Sequence, residues 1–125
     1  MGHPPKPAKK PKKQSASSHL QAKLVAAIKA AGLPPVQTEL KFHPVRKWRM
    51  DVSFLDYQLS IEVQGGTYSH GRHSRGPQMH NDYDKLNAAQ LLGWRVLYFD
   101  TKHIKDIDTT VETIRQMLKV LGWEG

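Results

Sequence analysis

The stretch from Trp48 to Gln64, WRMDVSFLDYQLSIEVQ, decides the fold. Its apolar residues recur with a period of two, the pattern of half-buried strands. Trp48, Met50, Val52 and Phe54 fall on one face of a first strand, with Arg49, Asp51 and Ser53 on the other. Leu59, Ile61 and Val63 share a face of a second strand, with Ser60, Glu62 and Gln64 opposite. Asp56-Tyr57 is the natural centre of the turn between them. A turn centred there pairs Phe54 with Leu59 and, by the same count, Asp51 with Glu62. Two carboxylates then stand opposite each other with Cβ atoms roughly 4.5–5.5 Å apart, and like charges so placed destabilise a sheet. A divalent cation between them removes that penalty.

Working outward, Ser18 to Ala31 reads as a helix. Ser18 and Gln21 form a capping box, Leu20, Leu24, Ala27, Ile28 and Ala31 make an apolar stripe, and Gly32 and Pro34-Pro35 end it. Val36 to Phe42 alternates as a strand. After Gln64, GGTYSHGRHSRGPQMH holds four glycines, three histidines and two arginines in sixteen residues. So polar and Gly-rich a stretch is expected to be a long loop. A second helix is expected from Asn81 or Asp82 to Leu92. It is apolar over much of its circumference and so well buried, with Asp82, Lys85 and Ala89 as one stripe. Arg95 to Phe99 is a short apolar strand. A last helix starts at Asp108 or Thr109, with Glu112 completing a capping box, and buries Val111, Ile114, Leu118 and Leu121. The order is helix, three strands, helix, strand, helix. It predicts an α/β fold of αβββαβα order, a small mixed sheet flanked by helices, with the crossover helix returning the fourth strand beside the first three.

The 125 residues suit one domain, residues 18–125, preceded by a disordered Lys/Pro-rich tail, residues 1–17. The absence of cysteine excludes disulfides and thiolate metal sites. No apolar run approaches the roughly 20 residues that span a bilayer, so no membrane is expected and a soluble, cytoplasmic protein is. The net charge is +8. Five of those charges lie in the first eighteen residues, which hold no acid, and the rest of the chain carries +3. A polyanionic partner, nucleic acid first, follows from the charge; a merely solubilising tail is the other reading. Lys9, Lys10, Lys12 and Lys13 are the tail's candidate phosphate contacts.

Glu39, Asp51 and Glu62 converge on one end of the expected sheet, with Gln64 beside them. Three acids suit Mg2+, which prefers hard oxygen ligands and can polarise a phosphodiester and activate a water. The competing reading is a set of solvent-facing polar residues on a one-sided sheet. His70, His73 and His80 offer a second metal reading, zinc, though without paired short spacing. Arg72 and Arg75 suit phosphate. His73 is open between a general acid and a surface histidine. Trp48, Trp94 and Phe99 are expected in the core, on the apolar rows.

The pattern Trp48-Arg-Met-Asp51, ten residues, then Glu62-Val-Gln64, with Glu39 before and the strand GWRVLYF after, resembles the PD-(D/E)XK nuclease superfamily. KFHPVRKWRMD, EVQGGTYSHGRHSRG and DYDKLNAAQLLGWRVLYF are similar to small phage and prophage endonuclease domains. Those in turn resemble very-short-patch-repair and Holliday-junction-resolving nucleases. The resemblance covers about residues 20–120 and implies a restriction-endonuclease-like core. It implies Asp51, Glu62, the carbonyl of Val63 and the supplementary acid Glu39 as ligands of Mg2+, with Mn2+ as an alternative. Gln64 stands where the superfamily usually has lysine; glutamine can orient a water but brings no charge. The resemblance also implies a site-proximal loop at Arg72, His73 and Arg75, and a polar helix start at Asp82 and Lys85, the latter a further DNA contact.

The expected function is a metal-dependent DNA endonuclease with Asp51, Glu62, Gln64 and His73 in catalysis, in a bacterium or phage-infected cell. A non-catalytic nucleic-acid-binding module on a nuclease fold and a Holliday-junction resolvase are the alternatives. The oligomeric state is open, a homodimer included.

Overall fold

A computed structural model describes the backbone of residues 16–64 and 77–125, with side chains from Ser18 to Gln64 and from Tyr83 onward. In chain order the elements are α1 (Ala16–Ala30), β1 (Gln37–Lys41), β2 (Arg49–Phe54), a 3-10 turn (Leu55–Tyr57), β3 (Leu59–Gln64), α2 (Pro77–Leu91), β4 (Arg95–Asp100), α3 (Thr101–Lys105) and α4 (Ile107–Val120). The strands form one sheet in the order β1-β2-β3-β4. β1, β2 and β3 are antiparallel neighbours, and α2 carries the chain back so that β4 runs parallel to β3. This is the expected mixed α/β architecture. The turn registers Phe54 with Leu59, Ser53 with Ser60 and Val52 with Ile61, as the count from Asp56-Tyr57 requires. Gln58 closes it in the left-handed region, φ 50°, and its carbonyl accepts the N–H of Arg95 at 2.9 Å.

The main core lies between one sheet face and α1, α3 and α4. It joins Leu24 and Ile28, Val52 and Phe54, Leu59, Ile61 and Val63, Phe99, Ile104, Ile114 and Leu118. Each such side chain contributes roughly 1.5–3 kcal/mol by leaving water. A smaller cluster on α2's side joins Met50, Ala89 and Trp94 with Leu40, Phe42 and Val96 packed against it. Simple alternation grouped Met50 with Val52; the structure divides them between the clusters. Opposite Asp51, between the Thr38–Val52 and Leu40–Met50 pairs, Glu39 takes φ 56° and interrupts regular β geometry. Nor is the sheet one-sided, as the competing reading had it: Ser53, Ser60 and Glu62 are buried.

Further expectations change. α1 starts at Ala16, ahead of the Ser18 capping box, and inside the segment assigned to the tail. α2 starts at Pro77, within the expected loop, because proline's fixed φ and missing N–H suit a first helical turn. It is also far less buried than its composition suggested: Ala89 is 2% exposed, but Tyr83 is 56% and Leu91 87% exposed. The sheet face it covers carries serines and a carboxylate, which offer little apolar area to pack on. A short helix, α3, precedes the last one. Asp100 caps it by accepting from the N–H of His103, while the His103 ring reaches back to the N–H of Asp100. Thr110 then ties α3 to α4 by donating to the His103 carbonyl at 2.6 Å. Glu112 does not cap α4; it pairs with Arg115 within the helix. Trp94 and Phe99 are core residues as expected. Trp48 is only half buried, stacked on Phe42.

Gly93 ends α2 at φ 92°, and the N–H of Trp94 returns to the Ala89 carbonyl at 3.0 Å. A Cβ at Gly93 would meet only the Gln58 side chain, at 3.5 Å. The cost of Gly93→Ala is therefore conformational, about 1–2 kcal/mol. A thermal melt should show a drop of several degrees; an unchanged midpoint would show that this end of α2 does not need the left-handed residue.

Candidate active site

Asp51 is the third residue of β2 and Glu62 the fourth of β3, one step beyond the Val52–Ile61 pair. There carboxylate oxygens engage the backbone. Asp51 Oδ2 accepts the N–H of Val63 at 2.8 Å, and Glu62 Oε2 accepts the N–H of Asp51 at 3.2 Å. Ser60, two residues before Glu62 and so on its face, donates its hydroxyl to the same Oε2 at 3.1 Å. Lys85 of α2 places Nζ 2.9 Å from Glu62 Oε1, with both side chains largely buried. Lys85 lies one turn before Ala89, the residue that seats α2 on Met50 and Trp94. The helix contact that packs the second cluster thus also aims the ammonium at the carboxylates.

Burial is the first cause of a raised pKa at both acids. At Asp51 the Val63 N–H and Lys85 pull it back down, and Glu39's charge pushes it up. At Glu62 the Asp51 charge adds to burial, while the Lys85 charge and the Lys85 and Asp51 hydrogen bonds oppose them. Among the described residues, Lys85 is one cation set against buried Glu62, half-buried Asp51 and the nearby charge of Glu39, which is itself exposed. Asp51 Oδ1 has no hydrogen-bond partner among the described residues.

Gln64 is exposed at the end of β3, opposite Asp100 in register. A cavity of about 110 Å³ lies against Glu62, Gln64, Lys85 and Tyr98. A second, of about 290 Å³, shares Gln64 and Tyr98 and reaches Asp100 and His103. The structure thus brings together Asp51, Glu62, Val63 through its N–H, and Glu39, with Gln64 at the rim. Lys85, expected as a DNA contact, joins the carboxylate pair. His70, Arg72, His73 and Arg75, the side chain of His80, and Lys9, Lys10, Lys12 and Lys13 lie outside the described residues. Among those described, no three His, Asp or Glu side chains form a ready metal cluster. The donor set suits a divalent ion nonetheless: two adjacent carboxylates, one with an oxygen that has no partner among the described residues. Sequence reasoning missed Ser60, and it missed the Asp100–His103 pair, whose only signal was the three-residue spacing of a cap.

A carboxyl whose pKa is raised in the fold costs nothing while it is protonated in both states. It costs stability as pH rises from its unfolded value, near 4, through its folded one, and the full cost remains above that. Lys85 reduces this cost. Lys85→Met should therefore lower the metal-free melting midpoint, and the gap from the parent should be wider at about pH 8 than at about pH 4. A gap that does not change with pH would mean Lys85 is not offsetting ionised carboxylates.

Comparisons with known proteins point the same way at the level of the fold. No protein-family model and no curated protein matches the sequence. Among solved structures, the chain is similar to the "Homing Endonuclease I-Bth0305I Catalytic Domain", at TM-score 0.63 and 21% identity, over 83% of this chain and 97% of that one. The mixed α/β fold with its four-stranded sheet is thus one that an endonuclease catalytic domain also adopts.

Proposed function

We propose that this chain is a metal-dependent DNA endonuclease of the PD-(D/E)XK type. The observation that carries the reading is the Asp51–Glu62 pair, Glu62 buried and Asp51 half-buried, with Lys85 Nζ 2.9 Å from Glu62. Position 64 lacks the superfamily's usual lysine, and Lys85 brings an ammonium to the same carboxylates from α2. The similarity to a homing endonuclease catalytic domain supports the same class. The +8 net charge supports a nucleic-acid substrate. Among the described residues no helix is long and apolar enough to cross a membrane.

Asp51 and Glu62, with Glu39 as a supplementary acid, would hold Mg2+ or Mn2+. Bound there, the ion supplies charge to polarise a phosphodiester and to lower the pKa of a water. Ser60 and the N–H groups of Asp51 and Val63 fix the carboxylates before substrate arrives, so little reorganisation is left for the reaction. Lys85 offers its ammonium to the charge that develops on the phosphate oxygens, and Gln64, at the cavity rim, orients the attacking water. In the reaction a water forms a new P–O bond and gives up a proton, the P–O bond to one sugar breaks, and that sugar leaves with its oxygen, which takes up a proton to become a hydroxyl.

Supercoiled plasmid incubated with Mg2+ should be nicked by the parent, and the rate should fall at least 100-fold in Asp51→Asn and Glu62→Gln. Because the fold disfavours the Glu62 charge, Glu62→Gln should melt within a few degrees of the parent, which separates lost chemistry from lost folding. Lys85→Met should also lose cleavage, and adding Gln64→Lys to it should restore part of the rate. Cleavage by Glu62→Gln at the parent's rate would remove the carboxylate pair from the chemistry. A double variant no better than Lys85→Met would remove Lys85 from the role of the missing lysine.

A further inference from the structure

The hairpin between β1 and β2 carries a second like-charge pair, of the opposite sign. Residues 40–50, LKFHPVRKWRM, hold Lys41, Arg46, Lys47 and Arg49 and no acid. Lys41 and Arg49 are cross-strand partners, directly opposite in the ladder. Both are exposed, and neither forms an ion pair among the described residues. Two cations so placed repel, as two acids do. Salt and water soften that repulsion but leave nothing in the fold that gains from it.

The loop that joins these cations is stiff. His43 Nδ1 accepts the N–H groups of Val45 and Arg46, at 3.1 and 2.9 Å. Phe42 stacks on Trp48 with centroids 6.4 Å apart, and the Arg46 guanidinium lies 4.1 Å over the Trp48 ring. A preformed loop loses little conformational freedom on binding.

Position completes the case. The hairpin joins the end of β1 to the start of β2, where Asp51 lies, and β3 runs antiparallel, so Glu62 falls at the same end of the sheet. Arg49 is two residues from Asp51, but the intervening Leu40–Met50 pair packs on α2's side with Ala89 and Trp94, so Lys41 and Arg49 stand on the other face, at the exposed edge of the sheet. One pair in the ladder separates the cationic couple from the Glu39–Asp51 position.

We propose that Lys41 and Arg49 form a backbone clamp for duplex DNA, gripping a phosphate at the β1 edge of the sheet, at the end where Asp51 and Glu62 lie. The phosphate relieves the repulsion between the two side chains, and the rigid loop fixes their spacing. The naming of duplex DNA rests on the nuclease reading; the clamp itself is a statement about polyanion binding at this hairpin.

The test is fluorescence anisotropy of a short labelled duplex, in EDTA so that no cleavage is needed, across a salt series. Lys41→Ala and Arg49→Ala should each weaken binding about three- to tenfold and reduce the log–log salt slope by about 1, and the double variant by about 2. Lys119→Ala, an exposed cation on α4, serves as the control and should change neither. The DNA-free melting midpoints of the hairpin variants should be unchanged or higher, since a repulsion is removed. Hairpin variants that bind with the control's affinity and slope would overturn the clamp, as would a weakening that tracks a fall in melting midpoint. The nicking assay stands apart. Loss of binding in the hairpin variants with no Mg2+-dependent nicking by the parent keeps the clamp and removes the nuclease reading. Nicking with unaltered binding does the reverse.

Discussion

Two carboxylates side by side in a sheet, met among the described residues by the ammonium of Lys85, are the constraint around which this fold is arranged. A buried charge is tolerable only when its atoms find partners. Glu62 spends one oxygen on Lys85 and the other on the Asp51 N–H and the Ser60 hydroxyl; Asp51 spends one on the Val63 N–H. Those bonds hold two acids close together, and burial first, with their mutual repulsion second at Glu62, raises the pKa of both against the pull of Lys85. Such a site has a standing preference for one more positive charge. That preference is a property of the folded chain, independent of which ligand meets it.

The same constraint shapes the two sheet faces differently. One face carries Val52, Phe54, Leu59, Ile61 and Val63 under α1, α3 and α4 and supplies most of the apolar burial. On the side of α2 the chain places Ser53, Ser60 and Glu62, all buried, and its apolar contribution there is the small group around Met50, Ala89 and Trp94. Most of the apolar burial and the site thereby lie on different faces of the sheet. The hairpin follows the same division of labour. Its aromatic stack and His43 bonds hold the loop, which leaves Lys41 and Arg49 free of structural duty.

Much of this was legible in the sequence because strand register is a counting problem. With Asp56-Tyr57 as the turn, Phe54 meets Leu59, and the same count brings the carboxylates side by side. The strand order followed from one crossover helix of adequate length. Counting failed where a backbone left the regular geometry without a residue type to announce it. Glu39 at φ 56° is the clearest case, since neither glycine nor asparagine marks the position, and the split between Met50 and Val52 goes with it. α3 was missed because its reciprocal cap uses His103 where a glutamate or glutamine is the usual sign. The stripe of Asp82, Lys85 and Ala89 was visible, but which residue of the sheet Lys85 would meet is a tertiary fact that helical spacing does not contain.

Supplying the ammonium from α2 instead of from position 64 changes what holds it in place. A lysine on β3 would be fixed by the ladder to both neighbouring strands. Lys85 is fixed by the docking of one helix, and among the described residues of that helix Ala89 alone is buried, while Leu91 and Tyr83 face solvent. The ion pair and the Ala89 contact lie one turn apart on the same helix face, so each supports the other: packing Ala89 on Met50 and Trp94 aims Lys85, and the Lys85–Glu62 bond helps seat a helix with little apolar area to bury. A change at Met50 or Trp94 thus reaches the carboxylates through α2 without touching them. On the proposed reading, the chemistry of this site and the packing of its thinnest layer are one mechanical unit.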